Sequence, residues 1–476
     1  MNLRSNYLMG ACTLATAAFS TTSTMAADKK MNFLFIAVDD FKPNINCYGV
    51  KNAITPNMDS LAKKGSIFFN NQCNYPVCGP SRASIMSGFM PEVTGVIGFK
   101  KMRRFLPDLV TLPQYLITQG YETAATGKIN DPRCVEGGQL TDDPRSWSLP
   151  YVRIKYNLIY HGAKPKQALE FPDMPDNKFV DDQIAEHGLG LLRKLAKGDK
   201  PFFLGVGFKK PHLPFLAPKK YWDMYKSSDF KTASFQEKVK DGGKHIWHNS
   251  QELRGYGGVP KKGEIPKQLQ IDLIHGYYAC ITFIDTQVGR LLKELKTLGL
   301  EDNTTVILWG DHGWHLGDHG IWGKHTNLEQ ASRAPLIIYS PKFKKHRAIK
   351  TPTQFLDLYP TVVDMANAPI PDFVQGKSLV PLISGKTDRI HDGVITLFNR
   401  NGYGYSYRTD RYRYIEVVDP RKKKVNEREL FDYEKDPLEK VNLANNPEYA
   451  ELVKKLSADL HKAGVGCKVL KKVEKK

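Results

Sequence analysis

The residues best suited to chemistry in this chain of 476 residues surround Cys78. The run Cys78-Gly79-Pro80-Ser81-Arg82 leads into residues 83–88, which predict a short helix that ends at a glycine. Cys78 therefore lies near a helix N-terminus, where unpaired N–H groups and the helix dipole favour an anion. Arg82, one turn later, adds a fork of donors that suits a tetrahedral oxyanion. A buried structural thiol is the alternative, because free cysteines are often buried.

Acidic and histidine side chains follow two apolar runs, residues 31–38 and 305–310, that predict buried parallel strands. These side chains are Asp39 and Asp40 after the first run and Asp311 and His312 after the second. In an open α/β sheet, the carboxyl ends of the strands form the binding site. One such aspartate alone more often caps a helix or a turn. Two polar pairs at two strand ends instead predict a metal site, and carboxylate oxygens suit Ca²⁺ or Mg²⁺.

Two lysines and a histidine extend this set. Lys128 follows a strand-like segment, His212 follows the apolar run 201–208, and Lys324 follows a Trp-Gly pair. Each residue alone is typical of a surface or structural position. Beside the acidic pairs, the lysines would bind the oxygens of an oxyanion, and His212 would protonate a leaving alcohol as a general acid.

Strand-like and helix-like segments alternate along the chain. Residues 55–65 and 271–298 predict helices, and residues 335–339 predict a further strand. This order favours an α/β fold in which helices sandwich a large, mostly parallel sheet. Beyond about residue 387, alternating polarity and β-forming residues predict a smaller antiparallel subdomain. Residues 131–177 and 232–266 predict long loops over the site.

The chain divides into four predicted segments. They are a secretory signal peptide over residues 1–26, a catalytic domain over 27–386, a C-terminal subdomain over 387–467 and a charged tail over 468–476. The signal prediction rests on Arg4, a weakly apolar stretch and small residues up to Ala26. No later run approaches about 20 apolar residues, so no transmembrane segment is predicted. We expect an exported protein, periplasmic or extracellular, for which Ca²⁺ is a better candidate than Mg²⁺.

The formal net charge of +19 favours polyanionic partners. Export argues against nucleic acid and leaves sulfated polysaccharide. Seven scattered cysteines without a Cys-x-x-Cys pair argue against a zinc site, although an exported chain could hold one disulfide that does not include Cys78. Candidate basic patches, with ordinary solvated faces as the alternative, lie at residues 100–104, 209–210, 344–345 and 421–424.

Together these residues resemble the type I, formylglycine-dependent sulfatases of the alkaline phosphatase superfamily. The resemblance spans residues 32–443 and depends first on the Cys-x-Pro-Ser-Arg run at Cys78. Further segments are most similar to iduronate-2-sulfatases, namely residues 39–43, 47–49, 210–215, 285–290 and 311–320, while residues 430–437 resemble a closing segment common in sulfatases.

The resemblance implies an exported sulfatase that hydrolyses sulfate esters on a polysaccharide or glycosaminoglycan-type saccharide, with 2-O-sulfated uronate as a candidate. A maturation enzyme would oxidise Cys78 to formylglycine (3-oxoalanine), whose hydrate attacks sulfur. The other implied roles are Ca²⁺ binding by Asp39, Asp40, Cys78, Asp311 and His312, positioning of the hydrate by Arg82, and substrate binding by Lys128, His212, Trp314 and Lys324.

One position departs from the family pattern. A histidine normally follows the lysine matched by Lys128 by two or three residues, and it helps to regenerate the aldehyde. This chain has Asn130 and Asp131 there. Asp131 could substitute as a base, or His315 or His319 could move in. The departure favours one alternative, a non-catalytic binder of sulfated glycans. A phosphodiester or phosphonate monoester hydrolase with the same site is a second alternative.

Overall fold

The computed structural model describes residues 30–151, 154, 167–343, 345–422 and 424–464. The signal peptide predicted over residues 1–26 and the tail predicted over 468–476 lie outside these residues. Within them, no helix combines the length and the apolar character that crossing a membrane requires.

The secondary structure alternates between strands and helices over the first three quarters of the chain. The strands are β1 (Asn32–Asp39), β2 (Ser66–Phe68), β3 (Asn71–Gln72), β4 (Glu122–Gly127), β5 (Leu169–Glu170), β6 (Phe202–Pro211), β7 (Phe215–Leu216), β8 (Thr304–Gly310), β9 (His315–Leu316), β10 (Trp322–Gly323), β11 (Leu336–Tyr339), β12 (Arg347–Ile349), β13 (Thr353–Gln354), β14 (Val394–Asn399), β15 (Tyr403–Arg408), β16 (Tyr412–Asp419) and β17 (Lys424–Asp432). The helices are α1 (Pro56–Lys64), α2 (Cys78–Ser87), α3 (Pro91–Thr94), α4 (Leu112–Thr118), α5 (Gly138–Thr141), α6 (Val180–Leu195), α7 (Lys219–Trp222), α8 (Gln251–Arg254), α9 (Lys267–Thr297), α10 (Glu329–Ser332), α11 (Leu358–Met365), α12 (Val380–Ser384) and α13 (Ala450–Ala463).

The main sheet of the described chain has seven strands in the order β12-β2-β11-β8-β1-β6-β4. β1 lies between β8 and β6 and pairs in parallel with both. Only β11 runs against its neighbours, β8 and β2. The predicted α/β fold with a mostly parallel sheet is therefore confirmed.

Hydrophobic cores cover both faces of this sheet. Along β1, Leu34 and Ile36 belong to one core and Phe33 and Phe35 to the other, as the alternation of a strand requires. The first core packs against α1, α6 and α9, and the second against α2, α4, α11 and α12. Because both faces are covered, the strands are almost entirely apolar.

The register of the central strands brings their polar ends to one edge. Val38 lies opposite Gly310 of β8, and Asp39 lies opposite Pro211 of β6. Since the three strands are parallel, the residues that follow them emerge together.

A second, antiparallel sheet in the order β14-β15-β16-β17 follows the main one. Helix α13 packs on it through Leu456 and Leu460, which join a core with Tyr405 and Tyr414. The predicted antiparallel C-terminal sheet is confirmed, while the subdomain boundary at residue 387 stays a prediction.

Candidate active site

Two aspartates occupy the end of β1. Asp39 is its last residue, and Asp40 follows with a left-handed φ of 54°, which residues other than glycine rarely adopt. The Asp40 N–H donates to Asp311 Oδ1 at 3.0 Å, and the Tyr277 hydroxyl donates to the Asp40 carbonyl at 2.7 Å. These two hydrogen bonds hold the strained turn in place.

Cys78 begins α2, and its side chain is buried among charged groups. Its Sγ lies 3.4 Å from His312 Nε2, 3.6 Å from Lys324 Nζ and 3.8 Å from Asp40 Oδ1. Burial raises the pKa of the Cys78 thiol well above its ordinary value, and Asp39 raises it further. The unmodified thiol is therefore a poor nucleophile at neutral pH, since the thiolate is the reactive form.

His312 turns its Nε2 toward this cluster. Its Nδ1 lies 2.9 Å from the Gly313 carbonyl, and because a carbonyl only accepts, Nδ1 carries a proton. Nε2 lies 3.3 Å from Asp40 Oδ1 and 3.6 Å from Asp311 Oδ1. A nitrogen that faces two carboxylates needs either a proton of its own or a cation between them, and the second arrangement makes His312 a candidate metal ligand.

The donor atoms of this cluster fit a divalent cation. One atom each from Asp39, Cys78, Asp311 and His312 lies within 4.8 Å of the others. Asp40 forms a second such group with Cys78 and His212. Carboxylates supply two of the four atoms in the first group, and Asp40 adds a third nearby, which suits a hard ion such as Ca²⁺.

Arg82 bridges the carboxylates of Asp39 and Asp311. It is fully buried, and it donates from Nε to Asp311 Oδ2 at 2.8 Å and from Nη2 to Asp39 Oδ1 at 3.3 Å. Its Nη1 donates to the carbonyls of Lys128 and Ile129. Because these donors are engaged by protein acceptors, Arg82 fixes the positions of Asp39 and Asp311.

Lys128 and Lys324 neutralise one aspartate each. Lys128 Nζ lies 2.6 Å from Asp39 Oδ2, and Lys324 Nζ lies 2.8 Å from Asp40 Oδ1. Burial would raise the pKa of Asp39, but Lys128 and Arg82 outweigh it and hold that pKa well below its ordinary value. Lys128 and Lys324 thus hold positive charge close to the Cys78 cluster, and Lys324 Nζ lies 3.6 Å from Cys78 Sγ.

Two glycines bring Lys128 to this position. Gly127 has a left-handed φ of 79°, and a Cβ on it would lie 2.1 Å from the Gly207 carbonyl oxygen. A Cβ on Gly207 would lie 2.1 Å from the Lys128 carbonyl oxygen. Only glycine at these two positions allows β4 and β6 to approach this closely at the end of β4, where Lys128 follows.

His212 contacts Asp40 and a carboxylate from the predicted loop 232–266. Its Nδ1 lies 2.7 Å from the Leu213 carbonyl and so carries a proton, while Nε2 lies 3.3 Å from Glu252 Oε1 and 3.8 Å from Asp40 Oδ2. Burial, followed by the charge of Lys324, lowers the pKa of His212 to about 4, against the opposing charges of Asp39 and Glu252. When Nε2 takes up a proton, Glu252 is the nearest carboxylate to receive it in a hydrogen bond.

A cavity of about 330 Å³ opens beside Lys128 and His212. It is also lined by Asp131, Arg133 and Lys209. Burial lowers the pKa of Lys209 to about 7, although Asp181 opposes this shift. The cavity lining thus carries both charges, with Lys128, Arg133, Lys209 and Lys210 beside Asp39, Asp131 and Asp142, and an anionic group of a ligand would lie against the basic side chains.

At the two positions after Lys128 that depart from the family pattern, Asn130 and Asp131 are both engaged in hydrogen bonds with other side chains. Asp131 accepts from Arg133 Nε at 2.9 Å and from Nη2 at 2.8 Å, and Asn130 donates to Asp142 Oδ1 at 2.7 Å. Asp131 Oδ2 lies 3.9 Å from Lys128 Nζ. Burial would raise the pKa of Asp131, but Arg133 and Lys128 lower it below its ordinary value.

The two candidate substitute histidines are engaged elsewhere. His315 Nε2 lies 2.9 Å from Thr326 Oγ1, and His319 Nε2 lies 3.2 Å from the Glu439 carbonyl. Both rings are buried. Of the three candidates, Asp131 alone lines the cavity.

The structure brings nearly all sequence-predicted residues into one cluster, namely Asp39, Asp40, Cys78, Arg82, Lys128, His212, Asp311, His312 and Lys324. Trp314 is buried behind Lys324, whose Nζ lies 5.1 Å from its ring centroid. Sequence reasoning missed Glu252 and Arg133 and assigned Lys209 only to a basic patch. Glu252 lies in a segment without periodicity, so no sequence signal pointed to it.

None of the cysteines in the described residues forms a disulfide. Within the described residues, Cys47, Cys73, Cys78, Cys134 and Cys280 are all free thiols. Cys78 is the one whose sulfur lies among the predicted ligands.

Comparison with protein families gives two matches. Residues 31–368 match the family model described as Sulfatase. Residues 317–465 match the model described as N-sulphoglucosamine sulphohydrolase, C-terminal. The two matches together span most of the chain.

Similar proteins carry sulfatase names. A "Sulfatase" of Formosa agariphila is 30% identical, with 97% of this chain and 92% of that protein covered. The human protein "Iduronate 2-sulfatase" is 33% identical, with 68% of this chain and 62% of that protein covered. Among solved structures, a phosphonate monoester hydrolase of Agrobacterium radiobacter is 21% identical and superposes with a TM-score of 0.76 over 92% of this chain and 96% of that one.

Proposed function

Because this chain belongs to the sulfatase family and is thereby a sulfuric ester hydrolase, we propose that it removes sulfate from a saccharide, a 2-O-sulfated uronate in particular. The proposed nucleophile is formylglycine made from Cys78, and the proposed metal is Ca²⁺. The observation that carries the proposal is the convergence of four metal-ligand atoms within 4.8 Å at Cys78, with Lys128 and Lys324 beside them.

Formylglycine would supply the hydroxyl that attacks sulfur, and Ca²⁺, held by Asp39, Asp40, Asp311, His312 and the residue at position 78, would neutralise charge on a sulfate oxygen. The chain's own residues do the rest. Lys128 and Lys324 hold the sulfate oxygens as fixed positive charges, so that little reorganisation is needed as charge develops. Arg82 keeps Asp39 and Asp311 in place.

His212 is the proposed general acid. Its Nε2 faces the region between Asp40 and Glu252, and Glu252 would favour a proton on that nitrogen. A sugar alkoxide is a poor leaving group, so its protonation contributes substantially to the rate. His212 would therefore have to take up a proton on Nε2, which burial disfavours and Glu252 favours, and would give that proton to the sugar oxygen as the ester bond breaks.

The cavity supports the proposed substrate class. Lys209 lines it near Lys128 and His212, and its ammonium would pair with the carboxylate of a uronic acid. The relative named Iduronate 2-sulfatase supports the same class.

Sulfate release tests this function. Protein produced together with a formylglycine-generating enzyme should release sulfate from a 2-O-sulfated uronate disaccharide, and Cys78→Ala should not. Cys280→Ala, which removes another buried thiol far along the chain, is the control and should keep activity. Equal release by the wild type and Cys78→Ala would contradict the proposal.

Two alternatives have their own readouts. The likeness to a phosphonate monoester hydrolase favours phosphonate monoester hydrolysis as an alternative activity. Faster turnover of an aryl phosphonate than of any sulfate ester would support this alternative. The absence of a histidine at Asn130 and Asp131 favours a glycan binder without turnover. Mass spectrometry across Cys78 separates the binder from an enzyme, because an intact thiol from a maturation-competent host points to binding alone.

We further propose that the protein is exported and matured by a formylglycine-generating or anaerobic maturation enzyme. The support for export is the signal-like sequence over residues 1–26. N-terminal sequencing of the mature protein should begin near residue 27. A mature chain that retains Met1 would contradict export by this signal.

A further inference from the structure

An exposed surface of aromatic and cationic side chains adjoins the cavity. Phe99 and Phe105 are 47% and 43% exposed. The Arg133 guanidinium lies 3.3 Å from the Phe99 ring centroid, and Lys100 Nζ lies 5.8 Å from that of Phe105. We name Phe99, Lys100, Phe105 and Arg133 the Phe99 platform. Neither the proposed metal site nor the proposed proton transfer uses it.

The platform is continuous with the proposed active site. A Cβ on Gly79, the residue after Cys78, would lie 3.2 Å from the Phe99 ring. Arg133 belongs to both the platform and the cavity lining. A saccharide whose sulfated unit occupies the cavity would therefore extend its next unit over Phe99.

Asp131 holds Arg133 in a defined orientation. The two donate and accept a pair of hydrogen bonds of 2.9 Å and 2.8 Å, and the Asp131 side chain is buried. The Arg133 side chain is nevertheless 55% exposed, because the pair uses one edge of the guanidinium. The other edge can donate to an anionic group at a fixed place.

The surroundings of the platform are strongly positive. Lys101, Arg104 and Arg145 line a neighbouring groove of about 580 Å³, and all three are exposed. Arg103 is an exception in the predicted patch 100–104, because it is buried and paired with Asp143. Positive charge next to exposed rings matches a saccharide that carries sulfate or carboxylate groups along its length.

We propose that the Phe99 platform is a binding subsite for the sugar next to the one that loses sulfate. The apolar face of that sugar packs against the exposed part of the Phe99 ring, one face of which is covered by the Arg133 guanidinium, and a sulfate or carboxylate on the sugar pairs with Arg133 and Lys100. This inference rests on the proposed function. It adds a preference for oligosaccharides over isolated sulfated sugars.

Chain-length dependence tests the platform. The substrates are a 2-O-sulfated uronate monosaccharide, heparin-derived di- and tetrasaccharides that end in this sugar, and 4-methylumbelliferyl sulfate. In the wild type, kcat/KM should rise about tenfold from the monosaccharide to the disaccharide, the shortest substrate that reaches the platform, which is the size of a stacking or charge-assisted contact. Phe99→Ala should remove that rise and leave aryl sulfate turnover unchanged, and Phe99→Trp should restore it.

Phe373→Ala provides the matched control, because Phe373 is 36% exposed in a groove away from the cavity. It should keep the wild-type dependence on length. A Phe99→Ala enzyme that loses the same factor on every substrate, or keeps the wild-type rise, would overturn the platform. If the wild type releases no sulfate from any saccharide, the proposed function fails first, so the two failures are distinguishable.

Discussion

Two buried charge networks of the described chain are built differently. The network at Cys78 contains Asp39, Asp40, Asp311, Arg82, Lys128 and Lys324. The second, which we name the Glu329 network, contains Glu329, Arg408, Arg413, Tyr433 and Glu439. In the second, Arg413 donates to Glu439, Tyr433, Ser406, Gln72 and Glu329, so its charges are paired within the network.

The Cys78 network leaves acceptors directed at one point. One ligand-type atom each from Asp39, Cys78, Asp311 and His312 lies within 4.8 Å of the others, although the carboxylates also have cationic partners. A buried network that is closed on itself joins parts of the fold, whereas one whose carboxylate, sulfur and imidazole atoms converge on one point can take a cation. The Glu329 network joins α10 to the C-terminal sheet, and we expect it to matter for stability alone.

Removal of the metal should produce the largest difference between the two networks. Dialysis against EGTA should lower sulfate release by at least about 10⁴-fold, over about 5 kcal/mol, because the carboxylates and His312 then lack their cation. Added Ca²⁺ should restore release and raise the melting temperature by mass action. Glu329→Gln should keep this Ca²⁺-dependent rise, and Asp311→Asn should lose it. Full activity after dialysis against EGTA, which is selective for Ca²⁺, would contradict Ca²⁺ at Cys78.

Arg413→Met should lower stability and leave activity unchanged, in contrast to removal of the metal. Loss of one partner from a buried ion network leaves Glu329 and Glu439 uncompensated, so the free energy of unfolding should fall by about 3–5 kcal/mol. Activity per folded molecule should stay near that of the wild type. Chemical denaturation measures the first quantity and active-site titration the second. A stable but inactive Arg413→Met protein would show that the network serves the site.

The pH dependence of stability sharpens this contrast. Burial would raise the pKa of Glu329, but Arg408 and Arg413 outweigh it and hold it at about 2. A folded-state pKa below the unfolded value stabilises the protein above pH 4.5, and this contribution is lost as the pH falls toward 2. It amounts to about 3 kcal/mol. The stability gap between the wild type and Glu329→Gln should therefore narrow over that range, and a constant gap would contradict the assignment.

Much of the Cys78 network could be predicted from the sequence, because its residues are anchored to regular elements. Asp39, Asp311 and His212 each follow an apolar run, and parallel strands end at a common edge. The helix that begins at Cys78 was likewise predictable from the glycine that ends it.

The cavity side was not predictable in the same way. Glu252 and Arg133 reach the site from segments without periodic pattern, so their positions depend on tertiary packing. A run of basic residues does not show which of its members are exposed: Arg103, within the predicted basic patch 100–104, is buried and paired with Asp143. The fold and the nucleophile follow from local pattern, whereas specificity depends on loops.

His212 lies between the Cys78 network and the cavity, and His212→Gln tests its role as general acid. We expect kcat for a sugar sulfate to fall about 10²-fold, the usual contribution of one general acid. An aryl sulfate, whose leaving group needs less help, should lose much less. Comparison of the two substrates in the same variant is an internal control for misfolding. Equal losses on both would assign His212 to sulfate binding rather than to proton transfer.

Lys209 should give the smallest effect and the one most specific to substrate. Because burial lowers its pKa to about 7, Lys209 is charged below that pH and neutral above it. KM for a uronate substrate should therefore rise about tenfold as the pH increases through 7, which corresponds to about 1.4 kcal/mol for one charge pair. Lys209→Met should show the high KM at every pH, and Lys209→Arg the low one, since arginine stays charged. A sulfated sugar without a carboxylate should show no such dependence in any variant, and the same rise for both sugars would remove Lys209 from carboxylate recognition.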